Sequence, residues 1–351
     1  MWSDSTSLYD LEKQRLVQEA IDPTRGSWVL PFFYPPFFAL TLVPLAWLSF
    51  SAAFATMTLV NAGLLAATMR ILIRELQLGR QQTSWLVLST FCSYGIQYAF
   101  LEAQTSFLTL MLLVLFVLAV RRSATKEAGI WSGLLCFKPQ LAVTPFLILI
   151  GKKDWRAIIM MSAVIAALGT LSLIAVGTDG LMAYLEVSRR AAVGDEYLHV
   201  QPEGMHNLRA LTHFFVPQPW TDVVWWSGTI VLGALILAET SMARRSDGVA
   251  LIPWDIVLFC LILMTPHLHT HDLTLLAVPA AFALKQAGDT VSAKLAVELV
   301  MLGLFPLINT VAYPYLPPLV PIALLTIVIA RFLRRSGGAH IYGIQSDKRS
   351  R

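Results

Sequence analysis

A chain of 351 residues that is 56% hydrophobic and only 14% charged, with mean hydropathy +0.64, cannot cover its apolar surface in water. Soluble domains carry about a quarter charged residues, so a soluble enzyme is excluded and an integral, multi-pass membrane protein is indicated. The net charge of +4 sits in short basic clusters at the ends of apolar runs, which is topology information and no footprint for nucleic acid.

In chain order, residues 1–26 are polar and lack the basic and apolar regions of a cleavable signal. Leu8, Leu11, Leu16, Ala20 and Ile21 approximate one face of an amphipathic helix, so residues 1–33 are expected to form an exoplasmic segment with a helix on the membrane surface. Residues 34–50 hold Pro35, Pro36 and Pro44 and are too interrupted for a full crossing. The runs 53–72, 105–120, 155–176, 223–237 and 316–330 are each near the roughly 20 apolar residues that a helix needs to cross the hydrocarbon layer.

Basic loops around Arg70–Arg80, Arg121–Lys126, 151–156, Arg244–Arg245, 285–294 and 331–335 are expected on the cytoplasmic side. Counting back from an inside C-terminus, spans near 316–333, 294–312, 272–285, 250–266, 221–242 and 156–176 alternate and leave residues 178–220 as an exoplasmic loop. Residues 127–150 have basic loops at both ends and Lys138-Pro139-Gln140 in the middle, which predicts two half-helices. The expectation is an all-α polytopic bundle over 34–335, with about nine full spans plus two partial or broken helices. Residues 336–351 are expected to be a disordered cytoplasmic tail. Cys92, Cys136 and Cys260 lie in apolar runs without ligand spacing and suggest neither disulfide nor zinc.

Polar groups inside such a bundle are the functional candidates, because burying them unpaired is costly. Tyr34-Pro35-Pro36 starts a helix whose free N–H groups can face an anion, or is a proline-capped start and nothing more. Glu102, Gln104, Thr105 and Ser106 offer groups for sugar hydroxyls, or form an ordinary polar hairpin. Lys138 needs a phosphate or a carboxylate partner unless it snorkels to water. His267, His269 and His271 crowd five positions. On a helix His267 and His271 would share a face at metal-ligand spacing, but with no fourth ligand a histidine serving a phosphate, oriented by Asp272, is the better expectation, with a hydrated loop close behind. Arg189, Arg190, Asp195, Glu196, His206, Asn207 and Arg209 lie among Tyr197, Phe214, Phe215 and Trp220, in a loop able to close over a site or to sit as an interfacial belt.

Tyr34-Pro35-Pro36, Pro44-Leu45, Gln104-Thr105-Ser106, Phe137-Lys138-Pro139-Gln140, Trp155-Arg156 and His271-Asp272-Leu273 follow one another in an order that resembles glycosyltransferase family 87, of the polyprenyl-phosphate-sugar-dependent GT-C superfamily. The resemblance implies a GT-C bundle in the cell membrane with a polyprenyl-phosphate-linked sugar as donor substrate; no cofactor is expected, a divalent metal being the lesser alternative. It implies transfer of a mannose-like or arabinose-like sugar from polyprenyl phosphate to a glycolipid or polysaccharide acceptor on the exoplasmic face. By the same resemblance Lys138, His271 and Arg209 are donor-phosphate groups, and Tyr34, Gln104, Ser106, Gln140 and Asp272 line the site.

The sequence departs from the family at two points. Ala103 stands where glycine is usual, and no transmembrane helix with an Asp-aromatic stretch precedes Leu8-Tyr9-Asp10, so a misplaced gene start or a degenerate, inactive copy is expected. Asp4, Asp10 and Glu102 are substitutes for the missing carboxylate base, and spacing selects none of them. A solute transporter is the second functional class, since interrupted helices also mark substrate paths, although no matched pair of them occurs in two halves. A non-catalytic membrane scaffold is the third.

Overall fold

A chain crossing lipid must pair its backbone polar groups within each segment, which leaves helices as the building material here. The computed structural model describes residues 7–24, 29–193, 198, 202–243, 245–246, 249–250, 252–288, 291–312 and 316–345. Its helices are α1 (Leu11–Ile21), α2 (Pro36–Leu42), α3 (Phe50–Glu75), α4 (Arg80–Cys92), α5 (Tyr94–Leu101), α6 (Ser106–Arg121), α7 (Thr125–Leu134) and α8 (Pro139–Gly151). There follow α9 (Trp155–Val193), α10 (Leu208–Phe215), α11 (Thr221–Ser241), α12 (Trp254–Met264), α13 (Ala277–Gln286), α14 (Ala293–Ala312) and α15 (Leu319–Gln345). The one extended pairing among the described residues joins Arg245–Ser246 to Val249–Ala250.

Two kinds of helix divide the work. In α3, α9, α11 and α14, long and apolar enough to cross a bilayer one by one, only 11 to 22% of the apolar stretch is buried. Apolar side chains turned outward in such number need lipid around them. The helices α6 and α12 are the opposite case. Every residue of α12 is buried, as are most of α6, and an all-round apolar helix of this kind belongs at the centre of the bundle. Around α12 pack α11, α13 and α15, and α6 is flanked by α3 and α7.

Several expected spans are broken or displaced by local chemistry. The segment expected to cross at 272–285 begins as a 3-10 turn, Thr270–Leu276, before α13 takes over. Residues 178–193, expected at the start of a loop, prolong α9 beyond a break at Gly177, whose φ of +68° lies in the left-handed region open to glycine. The helices α4 and α5 are separated only by Ser93, in extended conformation. The backbone of α15 runs to Gln345, inside the polar stretch that begins at Ser336, while 346–351 lie outside the described residues.

The amphipathic expectation near the N-terminus corresponds to α1, which buries none of its residues and leaves Leu16, Val17 and Ile21 exposed. Its start is set by Asp10, whose carboxylate accepts from the backbone N–H groups of Glu12 and Lys13 at 3.1 Å each. Gln18 then holds the chain end-on, pairing with both the N–H and the C=O of Leu30.

Candidate functional site

Proline at the first position of α8 forbids the residue before it from continuing the preceding helix, and Lys138 accordingly takes φ −121°, ψ 82° between α7 and α8. The break lets its side chain turn into the bundle. There the ammonium lies 2.6 Å from Asp272 Oδ1, and both side chains are only 6% exposed. Ser106, on the first turn of α6, donates its hydroxyl to the same carboxylate oxygen at 3.2 Å. Such a lysine must have a counter-charge at this depth, and Asp272 supplies it.

One residue earlier on the turn, His271 reaches the other way. Its Nδ1 lies 3.0 Å from Glu102 Oε2, and its Nε2 lies 3.6 Å from Asp272 Oδ2. Gln104 Nε2 donates to Glu102 Oε2 at 3.3 Å. The Tyr34 hydroxyl donates to Gln104 Oε1 at 3.4 Å and lies 2.8 Å from Thr105 Oγ1, while Asn61 Nδ2 donates to the Gln104 carbonyl at 2.9 Å. The tight α5–α6 turn that carries Glu102 and Gln104 is thus held by the segment leading into α2 and by α3 together.

Exposure rises across the cluster, from 6% at Lys138 and Asp272 through 15% at His271 to 36% at Glu102, so it is sealed at one end and open at the other. Burial alone would raise the Glu102 carboxyl. The hydrogen bond and charge of His271, with hydrogen bonds from Tyr98 and Gln104, outweigh burial and hold it below the usual carboxylate value.

The rest of the histidine segment is fastened from α10. Asn207 caps that helix through its carbonyl oxygen, and its amide N–H groups donate to the carbonyls of Thr265 (2.7 Å) and Pro266 (3.1 Å). The neighbouring His206 has its Nε2 3.0 Å from Thr270 Oγ1. Burial, with the charges of His269 and His271, pushes His206 down to about 3. Burial likewise takes His267 to about 3 and His269 to about 4, so both are neutral at neutral pH.

The structure therefore gathers Tyr34, Glu102, Gln104, Ser106, Lys138, His271 and Asp272 into one network. The other residues singled out from sequence are not all in it. Asp10 is spent on capping α1, and Asp4 lies outside the described residues, as do Asp195, Glu196 and Tyr197. Gln140 is half-buried on the first turn of α8. Arg209 is buried with its guanidinium 5.0 Å above the Trp225 ring and its charge bearing on His267. His267 and His271 share no helix face, because helical winding begins only at Thr270. Among the described residues no three His, Cys, Asp or Glu side chains converge in a group able to hold a metal ion.

Sequence inspection passed over Asn61, Tyr98 and the anchoring role of Asn207. Asn61 had a visible signal, an amide inside an apolar run. Tyr98 had none, because its bond to Glu102 depends on the one-turn spacing of α5 and on the side chain that follows it.

A sequence profile of glycosyltransferase family 87 matches residues 32–266, well over half of the chain. The chain belongs to glycosyltransferase family 87. It is accordingly a membrane glycosyltransferase, with a sugar donor and an acceptor as its substrates. No curated protein and no solved structure matches it. The matched region of this family 87 member contains Tyr34, Glu102, Gln104, Ser106 and Lys138. It stops at Pro266, just short of the turn that carries His271 and Asp272.

Proposed function

We propose that this enzyme moves a hexose or pentose, mannose-like or arabinose-like, from a polyprenyl-phosphate donor to a lipid or glycan acceptor on the exoplasmic face of the cell membrane. The observation that carries this reading is Lys138 at the helix break. Its ammonium has three N–H donors, and Asp272 and its neighbours leave part of that capacity for a phosphate oxygen. His271 stands next to it on the side open to solvent. A phosphate ester held there would have its lipid chain among apolar helices and its sugar toward Glu102, Gln104 and Tyr34. The fixed cation would stabilise charge that builds on the phosphate as the sugar leaves.

In the topology that goes with this reading, 34–335 forms the membrane domain with about nine full crossings, the shorter apolar helices crossing in combination. The helices α7 and α8 enter from and return to the cytoplasmic side, with Lys138 at the apex. Residues 1–33 and 178–220 lie on the exoplasmic side and 336–351 in the cytoplasm. Arg209 and Gln140 are then contacts for parts of the substrates that extend beyond the cluster.

The test is transfer of radiolabel from polyprenyl-phosphate mannose or polyprenyl-phosphate arabinose to membrane glycolipid, in membranes that contain the protein. Lys138→Ala and His271→Ala are expected to lower transfer by about 100-fold or more with membrane insertion unchanged. Transfer at the wild-type rate in both variants would remove the cluster from the reaction.

A further inference from the structure

We infer that a crevice between α4–α5, the Thr270–Leu276 turn and α14 binds an uncharged lipid by its free hydroxyl group. The crevice encloses about 350 Å³, and none of its lining residues belongs to the Lys138 network. It forms where three interrupted segments meet. Ser93, between α4 and α5, gives its N–H to the Thr90 carbonyl, so the Ser89 carbonyl loses the donor that a continuous helix would supply. Pro306 inside α14 has no N–H for the Leu302 carbonyl. The third segment is the 3-10 turn, which contributes Thr274. Backbone interrupted at membrane depth is tolerated where it lines a cavity that can satisfy it.

Thr274 is the observation that asks for a ligand. It is fully buried, and its Oγ1 has no hydrogen-bond partner among the described residues, a costly state for a hydroxyl. Ser89 donates its own proton to the Leu86 carbonyl at 3.1 Å and keeps lone pairs to accept with. One ligand hydroxyl can therefore accept from Thr274 and donate to Ser89. The chemistry of the occupant follows from the depth and the walls. Gly303, midway along α14, packs so closely that a Cβ on it would lie 3.1 Å from Ser93 Cα. The helix α14 is long and apolar enough to cross a bilayer and buries only 17% of its apolar stretch, so lipid lies at its back. The described lining residues carry no charge; besides the hydroxyls they are mostly leucine and alanine. A charged head group at this depth would be uncompensated, whereas a lone hydroxyl on an apolar chain is matched. Because Thr274 shares its turn with Asp272, an occupant also steadies that turn.

The experiment uses the full chain in phosphatidylcholine proteoliposomes with a radiolabelled diacylglycerol that carries a photoreactive diazirine on one acyl chain near the glycerol. After photolysis, label is expected in the peptides of α4–α5 and α14 that line the crevice. Thr274→Val should lower that labelling by about 3- to 10-fold, the loss of one hydrogen bond. Its apparent Tm in lipid-free detergent should not fall below the wild-type value, because the hydroxyl removed has no protein partner to lose. Ala280→Leu, which narrows the crevice without touching a hydroxyl, should lower labelling as well. Unlabelled diacylglycerol should compete, and the analogue with hydrogen in place of the free hydroxyl should compete poorly. Label spread evenly over the lipid-facing α3, α9 and α11, with no enrichment at the crevice, would overturn the inference and leave a cavity filled by water. Equal labelling of the wild type and Thr274→Val, or equal competition by the deoxy analogue, would overturn it too. The readout needs no sugar transfer, so its outcome stands apart from that of the proposed reaction.

Discussion

Lys138 and Asp272, 134 positions apart in sequence, meet at 2.6 Å in a part of the bundle that excludes solvent. The pair has two separable consequences, one for folding and one for chemistry. Removing one partner strands the other charge, which costs about 3–5 kcal/mol, whereas replacing both with apolar residues of similar volume is often neutral. Lys138→Met and Asp272→Leu are each expected to lower the apparent Tm in detergent, and the double variant should recover most of that loss. Sugar transfer should stay absent in all three. A double variant that regains transfer would show the pair to be a packing device.

Ala103 has φ +48°, in the left-handed region where a Cβ is unfavourable by about 1–2 kcal/mol. Ala103→Gly removes that cost and adds about 0.4–1 kcal/mol of unfolded-chain entropy, so a modest net gain in stability is expected. Ala103→Val should destabilise. Thermal denaturation of both variants checks the sign, and a lower Tm for Ala103→Gly would contradict the backbone account.

Gly95 allows α5 to lie directly against the turn that carries His271 and Asp272. A Cβ there would sit 2.8 Å from the Thr270 carbonyl oxygen and 2.9 Å from Leu273 Cβ. Gly95→Ala is therefore expected to cost about 1–3 kcal/mol by overpacking and to lower the transfer rate by moving the turn. Full transfer at an unchanged Tm would mean that the turn has room this packing denies it.

His206 is 4% exposed, and burial depresses its folded-state pKa from the ordinary 6.5 to about 3. Such a group stays neutral in the folded protein and takes a proton on unfolding. Its stabilising effect is whole above pH 6.5 and is lost as pH falls toward 3, at up to about 1.4 kcal/mol per pH unit. His269, taken to about 4, adds loss of the same sign. The apparent Tm should therefore fall from pH 7 to pH 4, less steeply in His206→Gln. Identical slopes would show that His206 does not carry this dependence.

By itself the sequence determined the lipid environment, the helical material, the break at Lys138-Pro139, the amphipathic α1 and the family. These follow from properties that act over a few residues: hydropathy over a span, the steric demand of proline on its neighbour, and the order of short motifs. Tertiary structure alone decided which carboxylate answers Lys138, that Glu102 enters the cluster while Asp10 caps a helix, and that His267 is turned out of register with His271. It also decided that the crossing expected at 272–285 is split into a 3-10 turn and α13, both packed on a wholly buried α12. The physical reason is range. A buried charge must find a partner, but which partner depends on side chains brought from α5, α6, α8 and the Thr270–Leu276 turn, and no local pattern records their meeting.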